Sequence, residues 1–105
     1  MRVIKESVEF QWDKGNINKN LKHNVADKEA EEIFGSGRKV VSKDEKHSLK
    51  EERYMLWGKT NVGRKLTVFF TLRKNKVRII SARDMSRKED IAYEKKIQSH
   101  TKVQK

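Results

Sequence analysis

The 105-residue sequence contains no cysteine and no proline. The absence of cysteine excludes disulfides and thiolate-bound metal sites together. No apolar run approaches the ~20 residues of a membrane span, and the first ten residues alternate apolar with charged side chains instead of forming a signal-peptide core. We therefore expect one cytoplasmic domain over residues 1–105, with no membrane segment.

Several catalytic motifs are also missing. The three histidines, His23, His47 and His100, lie far apart and none has a partner at metal-ligand spacing. There is no glycine-rich phosphate loop and no Gly-x-Ser-x-Gly turn. The sequence therefore predicts no metal site and no cofactor, and it argues against nucleotide hydrolysis and serine chemistry.

Acidic residues are scarce in the second half of the chain. Residues 1–52 contain 11 Lys/Arg and 11 Asp/Glu, whereas residues 53–105 contain 15 and 4, so the second half carries the whole net charge of +11. Every arginine except Arg2 and Arg38 lies there. Because a guanidinium binds phosphate oxygens in bidentate fashion, this half predicts contact with a polyanion.

The first third of the chain predicts one strand and two short helices. Val8, Phe10 and Trp12 alternate with polar residues, as in a half-buried strand that ends at residues 13–15. Apolar residues at helical spacings follow, and residues 23–25 divide them into two helices, the second with Asp27 as N-cap. Those apolar residues are Ile17, Leu21, Ala30, Ile33 and Phe34. Residues 35–37, Gly-Ser-Gly, end the helical part.

Four strands are predicted next, at residues 39–42, 53–57, 66–73 and 76–82. Lys74 and Asn75 leave a two-residue turn, which places residue 71 opposite residue 78 and residue 73 opposite residue 76. One face of this hairpin is the predicted core: Leu66, Val68, Phe70, Leu72, Val77 and Ile79. The other face brings Arg73 and Arg78 within diagonal reach of each other and carries Thr67, Phe69, Thr71, Arg73, Lys76, Arg78 and Ile80.

A capping box formed by Ser86 and Glu89 predicts the start of a final helix. Its apolar side contains Ile91, Ala92 and Ile97, with Tyr93 beside them, and a polar tail begins at about residue 99. The predicted fold class is α+β: a small antiparallel sheet packed against N-terminal helices, with a closing C-terminal helix.

The residues suit cleavage of RNA without a metal. RNA supplies its own nucleophile, the 2′-hydroxyl, so the protein must move two protons and neutralise charge on the phosphate. Arginines on strands can neutralise that charge, and the candidates are Arg53, Arg73, Arg78 and Arg83, with Tyr93 nearby. Each residue also has a structural interpretation: the arginines as solvated strand residues, His23 as a hydrogen-bonding group at a helix break, Tyr93 and Trp57 as packing. Phe69 and Trp57 could also stack on bases.

Three groups of residues in a fixed order carry a family resemblance: Phe10-Gln11-Trp12-Asp13 with Asn20, Lys22-His23, Val25 and Glu29-Ala30; Asp44-Glu45-Lys46-His47-Ser48 with Glu52-Arg53 and Gly58; and Phe70-Thr71-x-Arg73 with Arg78-Ile79-Ile80-Ser81-Ala82-Arg83, Glu89 and Tyr93. The run at residues 78–83 is the most specific. Together, over about residues 8–93, they resemble the BrnT-type ribonuclease toxins of bacterial type II toxin–antitoxin systems.

The resemblance implies a RelE-like fold, an endoribonuclease that blocks translation by acting on mRNA, and a BrnA-like antitoxin. That antitoxin would carry a DNA-binding domain, through which the complex would reach promoter DNA. Carried over to matching positions, the basic catalytic site would comprise His23, Arg53, Arg73, Arg83 and Tyr93. We expect further RNA contacts from Lys22, Lys76, Arg78 and Lys88.

The sequence departs from the family pattern at three places. Asn24 stands where glycine is usual after the histidine, and Gly-Ser-Gly at residues 35–37 replaces an acidic-proline stretch. Asp84 follows the most specific run and would place a carboxylate beside Arg83, weakening its hold on phosphate. Two other functions fit the charge distribution: a non-catalytic RNA- or ribosome-binding module, and an interaction subunit whose basic face docks an acidic partner.

Overall fold

The computed structural model describes residues 8–47 and 50–103. The first seven residues, Ser48 from the middle group of resemblance residues and the end of the polar tail lie outside this range. The described part is an α+β fold with one four-stranded antiparallel sheet. No helix within it has the length and apolarity needed to cross a membrane.

The sheet has the strand order β1-β2-β3-β4, in sequence order throughout. The strands are β1 (Val40–Lys43), β2 (Arg53–Lys59), β3 (Lys65–Arg73) and β4 (Lys76–Asp84). Helix α1 (Asp27–Glu32) precedes the sheet and helix α2 (Arg87–Val103) follows it. Three short 3-10 helices lie at Lys19–His23, Ile33–Gly35 and Glu45–His47.

The β3–β4 hairpin confirms the predicted register. Thr71 pairs with Arg78, and Arg73 pairs with Lys76. Lys74 and Asn75 form the two-residue turn with φ values of 51° and 67°. This left-handed pair of residues matches the right-handed twist of the strands, and here it forms without glycine.

The core lies on one face of the sheet, between the strands and the segment that contains α1. Ala30 of α1 and Ile33 and Phe34 of the following 3-10 helix pack with strand residues. The strand residues of this buried cluster are Leu56, Leu66, Val68, Phe70, Val77, Ile79 and Ala82. The predicted apolar face of the hairpin is therefore the core face, with Leu72 only partly buried.

The N-terminal strand prediction is wrong. Phe10 forms a single parallel bridge with Val77, held by the Gln11 N–H to Val77 C=O and Val77 N–H to Glu9 C=O hydrogen bonds, both 2.8 Å. The pairing stops there because the chain turns at Asp13, whose carbonyl accepts the Asn16 N–H. Residues 8–12 therefore cover the start of β4 without becoming a fifth strand.

Two details of the first helices also differ from the prediction. Ala26, not Asp27, is the N-cap of α1, and its N–H donates to Glu29 Oε1 at 3.0 Å. The Asp27 carboxylate instead accepts the Asn18 N–H at 2.9 Å. Ile17 and Leu21 are half-exposed, because the segment forms a tight 3-10 helix that turns Asn20 inward instead.

Candidate nucleic-acid interface

A β-bulge in β4 brings Arg78 and Arg83 to the same face of the sheet. Phe70 pairs with Ile79 and Phe69 pairs with Ser81, so Ile80 is an extra residue between them. Side chains alternate between faces along a strand, and two residues five apart would normally point to opposite sides. The extra residue shifts the alternation of β4 by one position. Ala82 therefore faces the core, and Arg83 faces away from it, as Arg78 does.

The face opposite the core carries four arginines in cross-strand register with β3; we call it the arginine face. Arg53 lies opposite Thr71, which lies opposite Arg78. Two residues along, Met55, Phe69 and Ser81 form the next row, followed by Trp57, Thr67 and Arg83. Arg73 lies at the hairpin end, opposite Lys76. The sheet therefore holds all four guanidinium groups on one rigid surface.

Helix α2 covers one end of the arginine face. Glu89 in its first turn contacts Thr67 and Arg83. One turn later Tyr93 is fully buried, and its hydroxyl donates to the Arg38 carbonyl at 2.6 Å. Burial raises the pKa of Tyr93 above its ordinary value. The helix thus lies across the row that contains Trp57 and Thr67.

Arg83 and Glu89 form a bidentate ion pair beneath the helix start. Arg83 Nη1 and Nη2 donate to the two carboxylate oxygens at 2.7 and 3.0 Å. Burial alone raises the pKa of Glu89, but hydrogen bonds from Arg83, the Ser86 N–H and the Thr67 hydroxyl outweigh it and hold the pKa at about 2. The carboxylate that caps α2 therefore also fixes the orientation of Arg83.

Arg73 and Arg78 are also paired with carboxylates. Arg73 donates to Glu51 from Nε and Nη2 at 3.1 and 2.9 Å, and this pair is largely exposed. The hydrogen bond from Arg73 lowers the pKa of Glu51. Arg78 donates to both oxygens of Asp13 at 2.8 and 3.0 Å and lowers the pKa of that carboxyl. The two arginines differ in exposure.

The Arg78 side chain is only 13% exposed. Its guanidinium also contacts the Gln11 side chain, and a Cβ added at Gly15 would lie 2.5 Å from Nη2. The lack of a side chain at Gly15 therefore allows the Arg78 guanidinium to pack against the N-terminal turn. Arg78 ties residues 11–15 to β4, whereas Arg73, at 46% exposure, meets solvent.

The predicted lysine contacts lie at the periphery of this surface. Lys76 starts β4 next to the hairpin turn, and Lys88 lies in the first turn of α2. Lys22 belongs to the 3-10 helix at Lys19–His23. All three side chains are exposed. Lys76 therefore belongs to the Arg73 row at the hairpin end, whereas Lys22 and Lys88 lie outside the sheet.

His23 lies at the end of that 3-10 helix, beside the outer edge of β4. The Asn20 side chain holds the helix there by accepting the Ala82 N–H at 2.9 Å. The chain then reverses at Asn24, which has a left-handed conformation with φ 60°. Asparagine tolerates that conformation better than other non-glycine residues, which explains how Asn24 replaces the glycine of the family pattern. The His23 side chain is exposed.

Asp84 does not contact Arg83 through its carboxylate, so the predicted interference is wrong. Its carboxylate accepts from Arg64 Nε and Nη2 at 2.7 and 3.2 Å. Arg64 Nη1 also donates to the Asn24 carbonyl at 2.7 Å and contacts Glu29. The side chain of Asp84 points away from the arginine face because odd and even strand positions face opposite sides.

Sequence reasoning missed the three carboxylates of this surface: Glu51, Asp13 and Glu89. The sequence predicts Glu89 as a capping residue and as part of the family resemblance, but not as the partner of Arg83; the capping box is confirmed by the reciprocal Ser86 and Glu89 hydrogen bonds. For the Arg83–Glu89 ion pair the sequence contains one usable signal, because Glu89 follows Arg83 closely across a short turn. Glu51 and Asp13 lie 22 and 65 positions from their arginines, and no local pattern links them.

The chain matches a known protein family over most of its length. The family described as the ribonuclease toxin, BrnT, of type II toxin–antitoxin systems matches residues 12–89. The match includes the N-terminal turn, all four strands and the first turn of α2. A search of curated proteins finds no match. The family match extends over most of the chain, and the chain therefore belongs to the BrnT family of ribonuclease toxins.

Proposed function

We propose that this protein is a metal-independent endoribonuclease toxin that cleaves mRNA on its arginine face and thereby inhibits translation. The observation that supports the proposal most directly is the bulge at Ile80, which turns Arg83 to the same face of the sheet as Arg53, Arg73 and Arg78. Family membership makes RNA the substrate and an antitoxin the partner. We further propose that the fold is RelE-like.

The proposed reaction uses the nucleophile that RNA carries. The 2′-oxygen forms a bond to the adjacent phosphorus while the bond from phosphorus to the 5′-oxygen breaks. One protein group takes the proton of the 2′-hydroxyl, and another gives a proton to the leaving 5′-oxygen. The products are a 2′,3′-cyclic phosphate and a free 5′-hydroxyl, and arginines stabilise the extra charge on phosphorus-bound oxygens.

Arg83 is the proposed main stabiliser of that charge. Its hydrogen bonds to described residues use Nη1 and Nη2, so the bidentate edge formed by Nε and the second Nη2 proton faces no described acceptor. Arg53 and Arg73 are proposed to orient the neighbouring phosphates, and His23 to exchange a proton, since imidazole suits proton transfer near neutral pH.

The experiment that tests the proposal is cleavage of a labelled single-stranded RNA by the purified chain in EDTA. We expect cleavage to continue, with a cyclic phosphate on the 5′ product. Cleavage that stops in EDTA and returns with a divalent cation would contradict metal independence. RNA binding without any cleavage would support the non-catalytic RNA-binding alternative. Induction of the chain in cells, with translation followed by amino-acid incorporation, tests the effect on translation.

RNA binding should depend strongly on salt. If the arginine face and its bordering lysines contact about four phosphates, the slope of log affinity against log salt should be near −3 for single-stranded RNA. Lys76→Ala should make the slope less steep by about 0.7. Lys28→Ala is the matched control, because Lys28 is an exposed lysine of α1 on the opposite side of the sheet. A slope near zero would reject the polyanion contact.

We propose that the antitoxin neutralises the toxin by covering the arginine face with acidic side chains. Arginine-directed labelling of the complex, read by mass spectrometry, should show protection of Arg73 and Arg83 relative to the free toxin. Arg78 is the internal reference, because its side chain is largely buried before the antitoxin binds. Unchanged labelling of Arg73 and Arg83, as expected if the antitoxin contacts only residues 1–52, would contradict this mechanism. The DNA-binding domain of the antitoxin and promoter binding by the complex are part of the same proposal.

Tyr93→Phe should destabilise the fold by about 1 kcal/mol, because it removes one buried hydrogen bond to the Arg38 carbonyl. In this structure the hydroxyl is inaccessible, and the side chain holds α2 against the sheet. Urea unfolding and RNA cleavage measured on the same sample check this. A folded variant that has lost cleavage would instead give the hydroxyl a direct catalytic role.

A further inference from the structure

Phe69 occupies the centre of the arginine face. It lies on β3 between Met55 and Ser81 in the cross-strand register, one row from Arg83 on one side and one row from Arg53 and Arg78 on the other. Its side chain is only partly buried. The ring is therefore partly exposed, and it lies between the row of Arg83 and the row of Arg53.

The ring is separated from the aromatic core of the protein. The three other phenylalanines pack edge to face with one another: Phe10 with Phe34 at 5.2 Å between centroids, and Phe34 with Phe70 at 5.1 Å. Phe69 instead lies beneath a guanidinium, with Arg83 Cζ 5.8 Å from its centroid. The core does not require an aromatic side chain at residue 69, because this residue faces the other side of the sheet.

The threonines on either side of Phe69 on this face of β3 both donate hydrogen bonds. The Thr71 hydroxyl donates to the Glu52 carbonyl at 2.7 Å, and the Thr67 hydroxyl donates to Glu89 at 3.0 Å. Both threonines are buried. The features that this surface presents to a ligand are thus a π-face with guanidinium groups around it, a combination that binds a base and its phosphates together.

We propose that Phe69 is the nucleobase-binding position of this protein: a base of single-stranded RNA stacks on the exposed part of its ring, beside the Arg83 guanidinium, while Arg53 and Arg83 hold the adjacent phosphates. The proposal rests on the proposed function, since it assigns the base-binding part of the same surface. Stacking tolerates every base, so the position orients the RNA strand without selecting a sequence.

The test is a binding experiment with 2′-O-methyl oligoribonucleotides, which lack the nucleophilic hydroxyl at every position. The strands have about five nucleotides, enough to span the four phosphates proposed above, so that a shift of register cannot compensate for a missing base. Each member of the set carries one abasic nucleotide, at successive positions. For the wild-type chain we expect one position at which loss of the base weakens binding roughly 5- to 150-fold. For Phe69→Leu we expect weaker binding of the intact strand and no effect of that abasic nucleotide.

Two control variants separate stacking from a change of fold or charge. Phe69→Trp should keep the abasic effect, because indole also stacks. Met55→Leu should keep it too, since Met55 lies in the same row and contributes no ring. The proposal is overturned if wild type and Phe69→Leu show the same ratio of intact to abasic affinity, or if wild type does not bind the strand. Failure of RNA cleavage alone would overturn the proposed function and leave this result unchanged.

Discussion

Replacing Arg83 by alanine is expected to slow single-turnover RNA cleavage by roughly 100- to 1000-fold, the loss typical of one preorganised charge-stabilising donor. The structure supplies the preorganisation. β4 fixes the backbone, the bulge at Ile80 selects the face, and Glu89 holds two of the guanidinium nitrogens. Arg83→Lys should restore activity only partly, because a point charge cannot reproduce the planar fork.

The same substitution also removes the cation from a largely buried carboxylate, so it is not silent for stability. We expect Arg83→Ala to cost about 1–3 kcal/mol, the range for a polar group left without its partner. Cleavage must therefore be measured below the melting temperature of the variant. If Arg83 merely pointed into solvent, the cost would stay below ~0.5 kcal/mol and activity would hardly change.

Glu89→Gln is the matched control for Arg83→Ala. It breaks the same ion pair and destabilises the same helix start, but it keeps the guanidinium on the sheet. We expect this variant, when folded, to lose less cleavage activity than Arg83→Ala, because the guanidinium remains on the sheet but is less firmly oriented without the carboxylate. Equal loss in the two folded variants would mean that the ion pair, and not the guanidinium itself, is what cleavage requires. A folded Arg83→Ala protein with near wild-type cleavage would transfer the role to Arg53 or Arg73.

The β3–β4 hairpin shows how far the sequence predicts this surface. Alternation of apolar residues and the two-residue gap at Lys74 and Asn75 were sufficient for the register of residues 71–78, and that register is confirmed. Alternation continued past Ile79 would have placed Ser81 and Arg83 on the core face. The bulge at Ile80 is invisible in the pattern, because either isoleucine of the pair could face inward.

The paired charges and the N-terminal segment were not predictable for a different reason. Asp13 reaches Arg78, and Glu51 reaches Arg73, only after the chain has folded around the sheet edges. Val8 to Trp12 alternates as a strand does, yet the bridge to Val77 ends at the Asp13 turn. In both cases a tertiary contact, and not the local pattern, decides the result.

Acid should destabilise the protein between about pH 5 and pH 2, and Glu89 should be the largest single source of that loss. Its folded pKa is about 2, against an ordinary value of 4.5. A carboxyl with a lowered folded pKa contributes stability above its unfolded pKa, and the contribution disappears as the pH falls through the folded pKa. For this partly buried group the contribution is about 2–3 kcal/mol.

Urea unfolding of wild type and Glu89→Gln between pH 2 and pH 7 measures this contribution. At pH 7 the variant should be less stable by about 2–3 kcal/mol, and the difference should fall to about 0.5 kcal/mol at pH 2, where the wild-type carboxyl is half protonated. Glu51→Gln is the control: it breaks the bidentate pair with Arg73, but both partners are exposed, so its effect should stay below about 1 kcal/mol at every pH. Only a shifted pKa makes the stability difference between wild type and Glu89→Gln depend on pH. If the two stability curves run parallel across the whole range, Arg83 and the start of α2 do not stabilise the ionised carboxylate.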